Sequence, residues 1–531
     1  MLSAMAVTLL FIQAASPGFG GSDGESVGEP VPVPGPPSGE LRMMIVGDAL
    51  TQGSSGDHTW RYHLWRHLTE NRVEFDFVGP YDDMYDLEEE GFGDETYADP
   101  AFDRDHAARW GHSAGELSDE VSRQAAEHEP HYLLLLAGFE GIMAGGSADH
   151  ALAGVGETVS TVRVVRGETR FVVGELPPVE GSPDDDRINS EIARFNMGVV
   201  DLAGRLTSAA SPVVIARVAD GYAPAHDNWD GAYPNGRGQL RIAAAFADAL
   251  SNPLGVGPAH PRPLPDAEVG PRVAPEPEPE ETDEGLLLAW ETVPGATDYR
   301  VTQRRVTPDP DEETVLPLEV VSDGRDRSAL VEGLFSGARY EFTVIPFKGG
   351  DAGVASEPIQ LVWSDDPPPG PAGIRLEDDG TTLAWDRVDD ATHYEVWVRP
   401  LDCVIADDRR PPYETVDGGS RGPDDGVPEP PPGGGRDPDP SPPVPEPPPT
   451  SRPEPGPEPT PPTVPPASDG VLCERRDARG PEHGDGWRTL GTTGEGPRWS
   501  LTVSGDYEVV VRSYRDYVEG GFSDSILTTR P

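Results

Sequence analysis

Residues 43–53, MMIVGDALTQG, decide the fold of the N-terminal region. Four apolar residues lead into Gly47-Asp48 and a polar loop, which is the pattern of a buried strand that ends in a turn. Four similar runs follow: VEFDFVG at 73–79, HYLLLLAG at 131–138, RFVVGELP at 170–177 and PVVIARVA at 212–219. Helical spacing of apolar residues separates the runs, around residues 60–68, 188–202 and 240–250. Strands that alternate with helices predict a parallel sheet covered on both faces, over about residues 41–254.

The overall composition excludes some classes of partner. The 531 residues include 41 basic and 94 acidic side chains, which gives a formal net charge of −53. A chain this acidic repels a phosphate backbone, so nucleic-acid binding is excluded and an anionic membrane surface is disfavoured. The 62 glycines and 61 prolines are about twice the ordinary share and predict extended connectors between folded parts.

Residues 1–40 are expected to be a signal-like segment followed by a linker. The apolar run AMAVTLLFIQAA near the start is too short to span a bilayer and resembles the core of a secretory signal. The signal is atypical because the first basic residue is Arg42, which follows the run. The pattern predicts a secreted, extracellular protein with no membrane span in the mature chain. The alternative is a plain apolar tail.

The two cysteines, Cys403 and Cys473, lie in short apolar runs at the two ends of a Pro-rich stretch. They allow one pairing, and a bond between them would close a loop of about 70 residues. In the chain-entropy model such a bond stabilises the fold by about 4 kcal/mol. We therefore predict a disulfide, which agrees with export to an oxidising compartment. Two buried free thiols are the alternative.

An internal repeat fills the C-terminal half. LAWE at 288–291 and LAWD at 383–386 are 95 residues apart, and each is followed by Ala-Thr, a tyrosine and a valine at the same spacing. The repeat resembles a pair of fibronectin type III domains, with Trp290 and Trp385 as the core tryptophans and Tyr340 and Tyr507 as the late-strand tyrosines. The resemblance implies two all-β sandwiches, at about 270–365 and 370–531.

Two Pro-rich stretches flank or interrupt these β-domains. Residues 255–282 form a Pro/Glu linker that overlaps the start of the first β-domain. Residues 411–468 have too few apolar groups to offset the entropy of an ordered chain, so we expect a long disordered insertion in the second β-domain.

The N-terminal region resembles the SGNH (GDSL-like) hydrolases. Residues 47–53, Gly-Asp-Ala-Leu-Thr-Gln-Gly, are similar to the family's first block, and Asp76–Pro80 are similar to its second strand. Trp110-Gly111 corresponds to the second block, and residues 230–235 (DGAYPN) correspond to the last block, Asp-x-x-His-Pro-Asn. The resemblance covers roughly 41–252 in order and implies a flavodoxin-like, three-layer fold around five parallel strands.

The catalytic positions depart from that family's pattern. Ester hydrolysis of this type needs a hydroxyl nucleophile, an imidazole base and donors that face the oxyanion. Ala49 stands at the serine position, Glu140 at the asparagine position and Tyr233 at the histidine position, so only Gly111 and Asp230 remain. We interpret the domain as a degenerate hydrolase without an intact catalytic set.

Other residues of the cleft are candidates for binding. Asp48, Glu140 and Asp230 are expected to face it, and Trp229 is a candidate to stack on a sugar at its rim. Three carboxylates would suit a hard cation such as calcium, but a solvated set is the preferred interpretation. No metal site and no cofactor are predicted, because no zinc, phosphate-loop or dinucleotide motif is present.

Three hypotheses about function remain open. The first is a secreted binding or scaffolding protein that has lost esterase activity and has a glycan or a cell-wall polymer as partner. The second is an active hydrolase of carbohydrate esters or lipids, with Ser54 or Ser55 as a rewired nucleophile and His58, His112 or His226 as its base. The third is a structural spacer with no ligand. The sequence predicts neither the identity of the ligand nor the oligomeric state.

Overall fold

The computed structural model describes residues 33–405, 471–474, 480–484, 486–503 and 505–528. The signal-like run and the insertion at 411–468 lie outside the described residues. The chain divides into two compact units, with the division between Asp365 and Asp366. The first unit contains the α/β domain and the first β-domain, and the second unit contains the second β-domain. Among the described residues, no helix has the length and apolar character needed to cross a membrane.

The α/β domain alternates strands and helices, as the sequence predicts. Its strands are β1 (Leu41–Gly47), β2 (Phe75–Phe77), β3 (Met84–Asp86), β4 (Gly91–Asp94), β5 (Ala107–Ala108), β6 (Tyr132–Leu136), β7 (Arg170–Gly174) and β8 (Val213–Ala216). Its helices are α1 (Ala49–Gln52), α2 (Thr59–Glu70), α3 (Ala114–His128), α4 (Phe139–Met143), α5 (Ala148–Val165), α6 (Asp185–Leu206), α7 (Pro224–Asp227) and α8 (Gly236–Ser251).

Five strands form the predicted parallel sheet, in the order β2-β1-β6-β7-β8. The short strand β5 adds a parallel pairing to the carboxyl end of β1. The order, with the second strand outside the first, is that of flavodoxin-like sheets, in which ligands bind at the carboxyl ends of the strands. The strand order therefore places the loop after β1 at the expected binding edge.

Two layers of helices cover this sheet. Helices α2 and α8 pack against each other, and helices α3, α5 and α6 form the second group. Trp60 of α2 is fully buried and stacks on Phe246 of α8, with ring centroids 4.4 Å apart. Strands β6 and β7 are buried along their whole length, as a sheet with both faces covered requires.

The first β-domain contains two antiparallel sheets. Its strands are β9 (Glu278–Glu281), β10 (Leu286–Glu291), β11 (Asp298–Thr307), β12 (Thr314–Val315), β13 (Val321–Asp323), β14 (Asp326–Val331), β15 (Arg339–Lys348), β16 (Asp351–Ala352) and β17 (Ile359–Val362). One sheet has the order β13-β14-β10-β9, and the other has the order β12-β11-β15-β16 with β17 on β15. Part of the predicted linker, Glu278–Glu281, thus serves as an edge strand.

The second β-domain also contains two larger antiparallel sheets, of three and five strands. Its strands are β18 (Arg375–Leu376), β19 (Thr382–Ala384), β20 (His393–Pro400), β21 (Asp402–Ile405), β22 (Val471–Glu474), β23 (Arg488–Thr493), β24 (Arg498–Ser500), β25 (Tyr507–Arg515), β26 (Val518–Phe522) and β27 (Ile526–Thr528). A 3₁₀ turn covers Pro481–His483. The sheets are β18-β19-β24 and β23-β20-β25-β26, with β27 on β25.

The repeated residues have the same roles in both β-domains. The hydroxyl of Tyr299 accepts a hydrogen bond of 2.7 Å from the amide of Val293, and Tyr394 accepts one of 2.9 Å from Val388. Both tyrosines pack against the buried tryptophan of their own repeat, with ring centroids 5.4 and 5.3 Å apart. The sequence repeat is therefore a structural repeat.

Strands β21 and β22 form a separate antiparallel pair at the base of the insertion. Their register places Cys403 directly opposite Cys473. Directly opposed residues of an antiparallel pair have Cα atoms about 4.5–5.5 Å apart, which lies within the range that a disulfide spans. The backbone is thus compatible with the predicted disulfide.

Candidate functional site

The site begins where β1 ends, at Asp48. Its carboxylate accepts three backbone hydrogen bonds, from Leu50 (3.3 Å), Gly138 (3.0 Å) and Glu140 (3.3 Å). These bonds connect the turn after β1 to the turn after β6 and leave the side chain 0% exposed. The expectation that Asp48 faces the cleft is wrong, because its acceptors are used by backbone amides beneath the surface.

Two carboxyl groups lie close together here, and neither ionises readily. Burial, together with the charge of Glu140, raises the pKa of Asp48 to about 7. Burial also raises the pKa of Glu140, and the hydrogen bond from Tyr233 opposes that rise. The pair therefore holds protons at pH values where exposed carboxyl groups have lost them.

Ala49, the first residue of α1, occupies the position after Asp48. Its methyl group is 2% exposed and packs into the turn between β1 and α1. A methyl group has no lone pair and no acidic proton, so it cannot form the covalent acyl intermediate of a serine hydrolase.

Tyr233 is held by Glu140. The phenol hydroxyl donates a hydrogen bond to Oε1 of Glu140 at 3.1 Å. Burial, with the charge of Glu140 as the next cause, raises the pKa of Tyr233 above its usual range. The phenol therefore stays protonated near neutral pH and acts as a donor, whereas an esterase needs a base at this position. The residues predicted to stand at the family's histidine and asparagine positions thus form a pair with each other.

Asp230 and Gly111, the two residues that agree with the pattern of the resembled family, lie at the surface. Oδ1 of Asp230 accepts hydrogen bonds from the amides of Ala232 (2.9 Å) and Tyr233 (2.8 Å), which close its own turn. Gly111 is exposed, with φ at +77° and open space where a side chain would begin. Of the three carboxylates expected in the cleft, Asp230 is solvated, Glu140 is half-buried and Asp48 is buried.

A chain of aromatic rings crosses the site, and we name Tyr85, Trp110, Tyr233 and Trp229 the aromatic row. Ring centroids are 4.7 Å apart for Tyr85 and Trp110, 4.6 Å for Trp110 and Tyr233, and 6.0 Å for Tyr233 and Trp229. All four rings are partly exposed. Phe92, which is 52% exposed, meets the edge of Tyr85 at 5.9 Å. The row brings together the hairpin β3–β4, which carries Tyr85, the turn after β5, which carries Trp110, and the loop between α7 and α8, which carries Trp229 and Tyr233.

Sequence reasoning identified only part of this row. The sequence predicts Trp229 at the rim and places Trp110 beside Gly111 in the second block, while Trp60 is a core residue of α2. The sequence does not predict Tyr85, because this residue lies in a short hairpin without an apolar run, and it indicates Tyr233 only as a replacement for the family's histidine. The cluster Tyr81, Met84, Tyr85 and Phe92 in one loop was the signal that could have indicated it.

The serines proposed as substitute nucleophiles are fixed in other roles. Ser54 is 1% exposed, and its hydroxyl donates to Oδ2 of Asp57 at 3.1 Å. The hydroxyl of Ser55 donates to the carbonyl of Tyr85 at 3.4 Å. His58, the nearest candidate base along the chain, stacks on Tyr62 with centroids 4.8 Å apart. In the part of the chain that the structure describes, neither serine hydroxyl has a histidine as hydrogen-bond partner.

No metal centre is apparent at these positions. Within residues 33–405 and the described segments beyond 470, no group of three or more His, Cys, Asp or Glu side chains is arranged to hold a metal ion. The three carboxylates differ in exposure, and the acceptors of Asp48 are used by amides.

From the two neighbouring carboxyl groups we predict that the substitution Glu140→Gln stabilises the fold. A carboxyl whose pKa rises on folding stabilises the fold while it is protonated, and this contribution is lost as the pH rises through its folded pKa. For Asp48 this contribution to stability is lost between about pH 4 and about pH 7. Glutamine removes the neighbouring charge and still accepts the bond from Tyr233. We expect a thermal midpoint about 2–4 °C higher at pH 8 and nearly unchanged at pH 5.

The control for this measurement is Glu127→Gln on the exposed face of α3. It removes a carboxylate of the same type outside the site, so its midpoint should follow the wild type at both pH values. A Glu140→Gln midpoint that falls at pH 8 would contradict the account of the coupled pair.

Comparisons with known proteins found no matching family model and no matching curated protein. A search of solved structures found similar chains. One is a serine-to-alanine mutant of an acetyl esterase with acetate ion, with 22% identity, a TM-score of 0.34, and coverage of 39% of this chain and 94% of that chain. A carbohydrate esterase family 3 protein from Talaromyces cellulolyticus has 21% identity, a TM-score of 0.33 and the same coverage. A family 3 carbohydrate esterase of Clostridium thermocellum has 19% identity, a TM-score of 0.33, and coverage of 40% and 96%.

Proposed function

We propose that this is a secreted protein whose α/β domain is an SGNH-hydrolase-like domain that has lost ester hydrolysis and binds carbohydrate. The observation that carries the proposal is the hydrogen bond between Tyr233 and Glu140 beside a buried Ala49. Nucleophile, base and side-chain oxyanion donor are all absent from the positions that would supply them, and only Gly111 and Asp230 remain. The two residues that replace the base and the donor bind each other.

The aromatic row supports binding of a sugar. Aromatic rings present apolar faces and edges against which the C–H groups of a pyranose ring pack, and tryptophan and tyrosine also offer polar groups at their edges. Around the row, the carboxylates of Glu140 and Asp230 are acceptors suited to sugar hydroxyls. Such a mixture of rings and a few polar groups is typical of small-ligand sites.

The charge of the chain restricts the class of carbohydrate. With a net charge of −53, the protein repels polyanions, so an uncharged or weakly charged wall polysaccharide fits better than an acidic one. We propose that the two β-domains are fibronectin type III modules of the same secreted chain. Their repeated Trp–Tyr packing supports this, as the facing cysteines support a disulfide and an oxidising compartment.

Binding to insoluble polysaccharides tests the proposal. The full chain is incubated with cellulose, chitin, xylan and peptidoglycan sacculi, and the protein left in solution is measured as a function of polymer concentration. We expect depletion by at least one polymer, and an affinity about tenfold weaker in Trp110→Ala and in Trp229→Ala, because each substitution removes one ring from the row.

Phe335→Ala is the matched control, because Phe335 is an exposed aromatic residue of the first β-domain outside the row. It should bind as the wild type does. Two results would contradict the proposal: no depletion by any of the four polymers, or equal binding by the wild type and by the Trp110→Ala/Trp229→Ala double variant.

A further inference from the structure

We infer that the first β-domain is a fixed part of the binding unit, docked on the α/β domain through Lys348, where it holds the loop that carries Trp229 and Tyr233. The inference about docking rests on contacts within the first unit alone. Its consequence for ligand binding rests on the proposed function. The unit that binds is then residues 33–365, and not the α/β domain by itself.

Lys348, the last residue of β15, is 5% exposed and reaches into the α/β domain. Its ammonium group donates to three acceptors there: Oγ of Ser54 at 2.8 Å, the carbonyl of Ser55 at 3.1 Å and Oδ1 of Asp57 at 2.7 Å. An ammonium group has three N–H donors, so every one of them is satisfied. The other oxygen of Asp57 accepts from the amide and the hydroxyl of Ser54, which completes the network.

This is the only lysine in a chain that has 41 basic residues. A guanidinium group is planar and carries its five donors in a fixed fork, so it does not match three acceptors arranged around one nitrogen. The geometry of the pocket at residues 54–57 therefore selects the compact ammonium group. All three acceptors belong to the α/β domain, so the fit depends on the contact between the domains.

A second set of contacts joins the turn between β15 and β16 to the loop of the aromatic row. The amide of Gly350 donates to the carbonyl of Trp229 at 2.9 Å, and Nδ2 of Asn235 donates to Oδ2 of Asp351 at 2.8 Å. At Gly349, where φ is +55°, a side chain would begin 1.9 Å from the carbonyl of Trp229. The two bonds brace the loop 229–235 at both ends.

A third set of contacts involves two more loops. Gly56 and Gly295 both have positive φ, and a Cβ on Gly295 would lie 2.4 Å from the carbonyl of Ser55. Such an approach of two backbones requires glycine. Near it, Arg327 pairs with Glu88 at 2.5 Å, and the hydroxyl of Thr292 donates to the same carboxylate at 3.3 Å. The contact therefore extends from the loop after β1 to the hairpin β3–β4, which carries Tyr85.

Chemical modification of the native full chain tests the docking without any ligand. N-acetoxysuccinimide acetylates free amines, and peptide mapping by mass spectrometry separates Lys348 from the N-terminal amine. We expect Lys348 to react at least 100-fold more slowly than the lysine of an unstructured peptide in the same mixture, and at the peptide's rate in denaturant. Acetylation of native Lys348 at the peptide's rate would overturn the inference.

Substitution of Lys348 tests the consequence for the binding loop. Lys348→Met leaves the carboxylate of Asp57, whose side chain is only 13% exposed, without its cation. We expect hydrogen exchange in residues 54–58 and 227–235 to become at least tenfold faster, and polysaccharide binding to weaken. Lys348→Arg should not restore either property. Arg304→Met, which removes the cation of a more exposed pair within the first β-domain, should leave both unchanged.

The outcomes separate the two claims. In one outcome, Lys348 is protected from acetylation and hydrogen exchange accelerates in Lys348→Met, but the wild type binds no polysaccharide. The docking inference then stands and the proposed function fails. If the wild type binds polysaccharide and Lys348→Met changes neither hydrogen exchange nor polysaccharide binding, the docking inference is wrong. Should Lys348→Met fail to fold, the acetylation rate of the wild type still decides the matter.

Discussion

The triple variant Ala49→Ser, Glu140→Asn, Tyr233→His is expected to hydrolyse 4-nitrophenyl acetate at least ~10³-fold faster than the wild type. It supplies a nucleophile, an oxyanion donor and a base together, and members of such a set act as a unit whose loss costs about 10⁶ in kcat. The scaffold keeps what the three residues need. Oδ1 of Asp230 closes its own turn, and within the described residues Oδ2 has no hydrogen-bond partner, so it is free to orient an imidazole at position 233.

The three single variants are the controls for this measurement. Ala49→Ser alone has no base, Tyr233→His alone has no nucleophile, and Glu140→Asn alone has neither, so each should stay at the rate of the wild type. A single variant as fast as the triple variant would contradict the account, because one residue alone would then decide whether the domain hydrolyses esters. A correctly folded triple variant without activity would show that the cleft has lost more than these three side chains.

Arg61→Lys is expected to destabilise the α/β domain by about 3–5 kcal/mol. Arg61 of α2 is fully buried, and its guanidinium group donates to the carbonyls of Thr51, Gln52 and Arg104 and to the hydroxyl of Tyr97, at 2.9–3.0 Å. A lysine has one nitrogen in place of three and cannot reach acceptors on several sides. At least two buried carbonyls would lose their donor, and each such loss costs about 1–3 kcal/mol.

Differential scanning calorimetry of the full chain measures this loss as a lower midpoint of the transition that includes the α/β domain. Arg66→Lys is the control, because Arg66 lies on the same helix, is about half exposed and pairs with Glu70 at 3.9 Å. It should shift the midpoint little, since exposed pairs contribute at most about 1 kcal/mol. Equal midpoints for the two variants would show that the guanidinium of Arg61 is not what holds the turn after β1.

Much of the fold could be predicted because its signals are local in the sequence. The run Met43–Val46 and its four counterparts became the five strands of the parallel sheet, since continuous apolar runs are required when both faces of a strand are covered. The two LAW motifs lie in equivalent strands or at their end, and each tryptophan packs against the tyrosine of its own repeat.

The details of the site could not be predicted, because they depend on contacts between distant residues. The sequence predicts that Ala49, Glu140 and Tyr233 replace catalytic residues, but the bond between Glu140 and Tyr233 joins residues 93 positions apart. The burial of Asp48 follows from amides after β6, and Lys348 meets Asp57 across 291 positions. The spacing of residues along the sequence carries no information about such contacts. The expectation that Asp48 faces the cleft therefore rested on the resemblance to the family alone.

Labelling of the wild-type chain with a fluorophosphonate tests the central claim most directly, because the reagent phosphonylates an activated serine and needs no knowledge of the substrate. Intact-mass measurement of the native full chain should show no adduct after incubation with excess reagent, whereas the triple variant should gain one adduct per chain at position 49. Stoichiometric labelling of the wild type, mapped to Ser54 or Ser55, would contradict the account and make the protein an active hydrolase with a displaced nucleophile.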